Sequence, residues 1–384
     1  GNNIVLSGFP SLGNSEDSLT IVNLNDVVID QVVYSADWYN DADKEDGGFS
    51  LERISLLESC NIEANWTASN STSGGTPGTQ NSVFDNTPDS QSPEITTFNF
   101  TGDDLIINFN EPMDNATLIT SAFTIDPAVT ISEVTPAEDR LSVTVAADFV
   151  LGSTYQITIA DVTDCTGNAL TDNVISIGLG EFPATGELII TEIMADPEPT
   201  QGQPISEYIE LYNNSDKLLT LEGLTLADRS AETTIGTATV EAGGYLILVP
   251  TSSTELFPSE VQVVGVTSFP SLGNSNDSIS IRNTTGVTLD VVEYDADWYN
   301  DSDKEDGGFS LERISLLESC NIEANWTASN STSGGTPGAQ NSVFDDTADS
   351  QSPEITTFSF IENDLVINFN EPMDNATLIT SAFT

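Results

Sequence analysis

Apolar residues alternate with polar ones in short runs along this chain, and the runs recur roughly every ten residues, punctuated by Gly, Pro, Asn and Asp. Leu105-Ile106-Ile107-Asn108-Phe109, Leu141-Ser142-Val143-Thr144-Val145, Tyr155-Gln156-Ile157-Thr158-Ile159 and Tyr245-Leu246-Ile247-Leu248-Val249 are examples. A period of two, enriched in β-branched residues and with almost no sustained 3.6-residue pattern, predicts all-β sandwiches. Very little helix is expected, and Asp114–Ala122 reads as a short turn.

A longer repeat lies over this pattern. Residues 9–124 return as residues 269–384 at a constant offset of 260, with 95 identities in 116 aligned positions. A period of that length holds whole domains, not one supersecondary unit. Residues 125–268 occur once, so the sequence reads as a window of about one and a half periods of a tandem array. Two polar segments rich in Pro or Gly, Asp85–Pro93 and Gly180–Gly186, read as linkers. They predict four segments: 1–89, the C-terminal part of a large module; 90–184, a complete small module; 185–349, a complete large module; and 350–384, the start of the next small one.

Charge removes several functions. There are 61 acidic residues against 8 basic ones, no histidine, and a net charge of −53. Such a surface repels phosphates and anionic lipid, which argues against nucleic-acid and membrane-surface partners. No run of 18 apolar residues is present, so membrane insertion through a helix is not expected. Without histidine, Ser-His catalysis and His-based zinc sites are impossible, and no Gly-rich phosphate loop follows a strand. Glu207 and Glu210, three apart on a strand, point to opposite faces and do not read as a catalytic pair. No enzyme is expected.

The small module resembles the bacterial Ig-like domains of surface-layer and adhesin proteins, through Phe109-Asn110-Glu111-Pro112-Met113-Asp114, Leu151-Gly152-Ser153-Thr154-Tyr155 and Asp161-Val162-Thr163-Asp164-Cys165-Thr166-Gly167-Asn168. Tyr155, opening a strand after Gly152, fits a tyrosine corner or a plain core aromatic; both roles are structural. Residues 187–343 resemble a lamin-tail domain, itself an Ig-like sandwich, of the kind found in secreted bacterial proteins. The segments that carry this are Leu188-Ile189-Ile190-Thr191-Glu192-Ile193-Met194, Glu207-Tyr208-Ile209-Glu210-Leu211-Tyr212-Asn213, Gly308-Phe309-Ser310-Leu311-Glu312-Arg313 and Gly334-Gly335-Thr336-Pro337-Gly338. No heptads and no basic localisation cluster accompany it, so a nuclear lamin is not implied. The alternation resembles giant secreted surface proteins of gliding bacteria, which implies an extracellular, cell-surface setting.

Two sites follow. The loop Asp37, Asp41, Asp43, Glu45, Asp46 and its copy Asp297, Asp301, Asp303, Glu305, Asp306 offer carboxylates at the spacing hard cations use, with glycines after them. Ca2+ binding is one reading and a solvated acidic loop the other. Asp46 stands where an EF-hand has its turn glycine, and Asp114 and Asp164 read as turn caps before ligands. In an Ig-like sandwich the loop before the last strand lies at the N-terminal end. The resemblance therefore implies that Cys165 faces the preceding large module and bridges Cys60 there, with Cys320 paired outside the window; two buried free thiols are the alternative.

The function expected is a shaft of sandwiches, each ~35–40 Å long from strands of seven or eight residues plus loops. Its partners would be copies of itself, in tandem and laterally in a homo-oligomeric fibre, and a cell or glycan surface reached through other parts. The second reading is a carbohydrate- or surface-binding module attached to a distant enzyme or anchor.

Overall fold

The computed structural model describes residues 8–58, 60, 62–317, 323–347, 352–362, 364–371, 373 and 378; Cys320 lies outside these. Described residues are almost entirely strand and loop, with one four-residue α-helix, Ala42–Glu45, and short 3-10 turns. The stretch Asp114–Ala122 ends in one such turn, Thr120–Ala122. No helix of the described residues is long and apolar enough to cross a membrane. The chain forms two compact units, one of residues 1–150 with 154–177 and the other of residues 151–153 with 178–384.

In the first unit β1 (Glu16–Val22) pairs with β2 (Val28–Ser35), and β3 (Leu51–Arg53) with β4 (Trp66–Ala68). An Ig-like sandwich follows. Its strands are β5 (Ile95–Thr101), β6 (Asp104–Phe109), β7 (Phe123–Asp126), β8 (Ile131–Pro136), β9 (Ser142–Ala147), β10 (Ser153–Ile159) and β11 (Val174–Leu179). They form one sheet in the order β5-β6-β9-β8 and another in the order β11-β10-β7. The alternation read from the sequence sets the core. Leu105, Ile107 and Phe109 of β6 turn inward against Val143 and Val145 of β9 and Ile157 and Ile159 of β10, all 5% exposed or less. Tyr155 fills both roles expected of it. It is buried against Phe149 with ring centroids 5.1 Å apart, and its hydroxyl accepts the Val150 N–H at 2.7 Å.

The second unit holds the complete large module. Its strands are β12 (Leu188–Met194), β13 (Tyr208–Asn213), β14 (Leu219–Thr220), β15 (Thr225–Ala227), β16 (Glu232–Thr234), β17 (Thr239–Val240), β18 (Tyr245–Pro250), β19 (Val263–Val266), β20 (Asn276–Arg282), β21 (Thr288–Asp295), β22 (Leu311–Arg313) and β23 (Trp326–Ala328). A six-stranded sheet, β19-β18-β13-β12-β22-β23, packs against a four-stranded one, β16-β15-β20-β21. The last described strands, β24 (Ile355–Ile361) and β25 (Asp364–Phe369), form a separate hairpin. Segment Gly180–Gly186, read as a linker, is tied to the module: Glu181 and Glu187 both sit 2.9 Å from Lys217 Nζ. A bulge between Ile190 and Glu192 sends Leu188, Ile190 and Ile193 into the sandwich core but Glu192 and Met194 to the other face of the sheet. That face is also covered, so β12 is buried along its whole length.

The repeat permits an internal comparison. Trp326 is 1% exposed and packs on Trp298 at 6.5 Å, whereas its copy Trp66 keeps the Trp38 contact at the same distance but is only half-buried. Trp326→Ala should lower the stability of the second unit by about 3–5 kcal/mol, through lost burial and the cavity left behind. Trp66→Ala should cost less than half of that, because there is less packing to lose. Guanidinium titrations of the two variants read this directly, and equal losses contradict it.

Candidate functional site

The junction between residues 8–89 and the Ig-like sandwich is built around two cysteines. Cys60 lies in the loop between β3 and β4, Cys165 in the turn between β10 and β11, and each is 3% exposed. Their sulfurs are bonded, at 2.00 Å, with Cα atoms 5.3 Å apart and 105 residues between them in sequence. Arg140 closes over the bridge: its Nη1 lies 3.2 Å from Cys60 Sγ and donates to Met113 O at 3.4 Å. Asp164, next to the cysteine, is 2% exposed. Its Oδ1 accepts the N–H groups of Thr166, Gly167 and Asn168 at 2.8, 2.6 and 2.8 Å, which fixes the turn that presents Cys165. Asp114 likewise caps a turn, accepting the Ala116 N–H at 3.0 Å.

Asp164 has a second set of neighbours. One oxygen each from Asp89, Glu111 and Asp164 lie within 4.8 Å of one another. Burial first, then the charges of Asp164 and Asp89, push the Glu111 carboxyl up from its ordinary value. This cluster draws on the segment Asp85–Pro93, the Phe109–Asp114 motif and the Cys165 turn, which are far apart in sequence.

The two acidic loops are arranged differently. In the first copy Asp41 caps the helical turn Ala42–Glu45: Oδ1 accepts Asp43 N–H at 3.1 Å and Oδ2 pairs with Lys44 Nζ at 3.4 Å. In the second, Asp301 accepts Asp303 N–H at 3.0 Å and lies 4.0 Å from Lys304. Asp37 and Asp297 open the preceding 3-10 turns, with their N–H groups bonded to Ser35 and Asp295. Side chains on a turn radiate outward. Among the described residues, neither Asp37, Asp41, Asp43, Glu45, Asp46 nor Asp297, Asp301, Asp303, Glu305, Asp306 brings three carboxylates within 4.8 Å.

A third feature is absent from the sequence reading. Glu210 of β13, Glu192 of β12 and Glu312 of β22 are register partners on three adjacent strands, and all are fully buried. Each receives a backbone N–H from the loop that covers this face: Thr336 N to Glu192 at 2.9 Å, Gly338 N to Glu210 at 2.7 Å and Val343 N to Glu312 at 3.2 Å. Hydroxyls supply the rest. Tyr208 and Ser310 donate to Glu192 at 2.7 and 2.5 Å, Thr191 to Glu210 at 2.8 Å, and Ser342 to Glu312 at 2.7 Å. Gly335 is the glycine the loop requires here, because a Cβ would run into the Tyr208 hydroxyl and the Glu192 carboxylate. Glu207, by contrast, sits outside this row near Asp196 and Asp277. The row is a clamp for a loop. Its signal in the sequence is the Thr191-Glu192 pair inside a strand, Leu188–Met194, whose other residues are all apolar.

Comparison with known proteins fits this geometry. Residues 79–176 match the family profile Bacterial Ig-like domain, and residues 181–296 match the profile Lamin Tail Domain. The chain carries a domain of each type. The second match stops before β22 and β23, although both strands complete the six-stranded sheet. No curated protein matches the chain. Among solved structures, it is similar to the N-terminal part of the bacterial S-layer protein SbsC, at 13% identity and a TM-score of 0.23 over 54% of this chain and 44% of that one. It is also similar to a DUF4876 family protein from Bacteroides thetaiotaomicron VPI-5482, at 12% identity and a TM-score of 0.25 over 53% and 86% of the two chains. The chain thus spans less than half of the S-layer chain, and likeness at these scores carries no functional argument.

The carboxylate row predicts an unusual pH dependence. Burial, then the neighbouring charge of Glu312, raises Glu192 from 4.5 to about 7, and burial with the charge of Glu192 raises Glu210 in the same direction. Between pH 4.5 and 7 the folded state holds the extra proton, so the stability of the second unit falls as pH rises, by on the order of 3 kcal/mol for Glu192 alone. Glu52 of the first unit behaves oppositely to Glu192. Burial raises it, but hydrogen bonds from Ser82, Thr76 and Ser69 outweigh this and bring it down to about 2. Its contribution is present above pH 4.5 and is lost as pH falls toward 2. Urea titrations from pH 4.5 to 7 should show the second unit losing stability while Glu192→Gln flattens the slope; a wild-type slope of the other sign refutes this.

Proposed function

We propose that this chain is a repeating shaft segment of a secreted bacterial surface protein, in which lamin-tail and Ig-like sandwiches alternate and are joined covalently. The observation that carries this reading is the Cys60–Cys165 bridge, which ties one module type to the next inside a unit that the sequence repeats at an offset of 260. A buried disulfide belongs to an oxidising compartment, which favours an extracellular place. The net charge of −53 keeps neighbouring shafts soluble and turns away nucleic acid and anionic membranes. The segment is non-catalytic in this reading: the row Glu192, Glu210 and Glu312 holds a loop and is shut off from solvent. Copies of the chain, in tandem and laterally, are the proposed partners, and attachment to a cell or glycan surface by a gliding bacterium falls to other parts of the protein.

Single-molecule stretching of the oxidised chain tests the shaft. The bridge should withhold the 105-residue span it closes from extension, and a reductant should release roughly 350 Å of contour length. Extension unchanged by reductant overturns the mechanical role. The carbohydrate-binding alternative is favoured instead if one oxidised 260-residue period gives saturable binding on a glycan array.

A further inference from the structure

Residues 8–89 present an open apolar groove of about 450 Å³, lined by Leu12, Leu19, Val32, Tyr34, Leu51 and Trp66 among others. Taken alone, it would read as a ligand pocket. The second copy of the same sequence shows what fills it. There Leu272, Ile279, Val292, Tyr294, Leu311 and Trp326 are 3% exposed or less, packed against Ile193 of β12, Ile209 of β13 and Leu248 of β18. Other positions change just as sharply. Ile21 is 60% exposed and Ile281 fully buried; Ile29 is 65% exposed and Leu289 only 3%; Leu12 is 43% exposed and Leu272 only 3%.

We infer that this groove is an acceptor for a second copy of the segment 185–268, whose strands would seat on residues 8–89 as β12, β13 and β18 seat on residues 269–347. Three observations carry this. First, the interface is already in the molecule, between residues 185–268 and 269–347. Second, the differences between the copies respect it. Inward positions are unchanged or exchange one apolar residue for another, as in Leu19/Ile279, Ile21/Ile281, Ile29/Leu289 and Val32/Val292. Outward positions on the same hairpin change freely, to Arg282 from Val22 and to Glu293 from Val33. Third, the acceptor half of the clamp is preformed. Thr76 and Ser82 hold Glu52 at 2.6 and 2.7 Å, as Thr336 and Ser342 hold Glu312 at 3.0 and 2.7 Å. Gly75, like Gly335, leaves room for a serine hydroxyl: an added Cβ would crowd Ser50 there as it would crowd Ser310 in the second copy.

The hairpin β24–β25 has the matching need at its own core. Leu365 is 51% exposed where Leu105 is fully buried, and Phe358 is 73% exposed where Phe98 is 37%. In the first copy, residues 131–177 supply much of the cover, together with Met113, Leu118, Phe123 and Ile125. A single stretch, residues 125–268, therefore carries the complement of both open surfaces. The inference does not depend on the shaft reading, since any array of this sequence needs the same closure.

The test adds the polypeptide 185–268 to the intact oxidised chain and follows backbone hydrogen exchange over residues 16–35. A second arm places residues 185–268 directly before residue 9, which reproduces the native 268–269 junction and removes the question of whether the free segment stays soluble. Expected is at least ten-fold slower exchange over residues 16–35, approaching that of residues 276–295, and loss of this effect with Ile193→Asp in the added segment or Ile21→Asp in the groove. Unchanged exchange in the fused chain overturns the inference. So does protection that survives both substitutions, which would place the segment elsewhere.

Discussion

A β-sheet with one apolar face is stable only when a second layer covers that face, and this requirement organises the whole molecule. Residues 269–347 hold the buried set Ile279, Ile281, Val292 and Trp326 only because β12, β13 and β18 lie across them. The cover is fastened on its far side by a row of three carboxylates. Buried carboxylates normally destabilise a fold, but each of these receives a backbone N–H and at least one hydroxyl. Their like charges are the remaining cost, and the raised values of Glu192 and Glu210 show where that cost appears. In the first copy, Glu52 is held low instead by hydrogen bonds from Ser82, Thr76 and Ser69.

The joint to the Ig-like sandwich answers a different problem. With 61 acidic and 8 basic residues, contacts between modules meet repulsion that varies with ionic strength. A covalent bridge does not. Its chain-entropy contribution for a closed span of 105 residues is on the order of 4–5 kcal/mol. The few cations are placed at single critical contacts: Arg140 over the bridge, Lys217 between Glu181 and Glu187, and buried Arg313 beside the partly buried Asp290.

Features with short-range causes were legible in the sequence. Alternation located the strands, and Gly152 before Tyr155 located the tyrosine corner, because each depends on residues a few positions apart. Glu192 was not legible as a buried carboxylate. Its partners Glu312 and Thr336 lie 120 and 144 positions away, and the bulge after Ile190 turns it to a face that alternation alone misassigns. The acidic loops pose the opposite problem. Their composition is that of a cation loop, while Asp41 caps a helical turn and, among the described residues, no three of these carboxylates lie within 4.8 Å of one another. The cluster of Asp89, Glu111 and Asp164 is assembled from three distant segments, which no local spacing reveals.

The proposal that unites these features is that the 260-residue period is a linear building unit, closed by its neighbours and tied at its joints. Small-angle scattering from oxidised arrays of one, two and three periods tests it most directly. The account predicts a maximum dimension that grows by an equal increment with each period while the cross-sectional radius stays constant. A radius of gyration that instead grows only as about the 0.38 power of residue number, as in a compact globule, would contradict it.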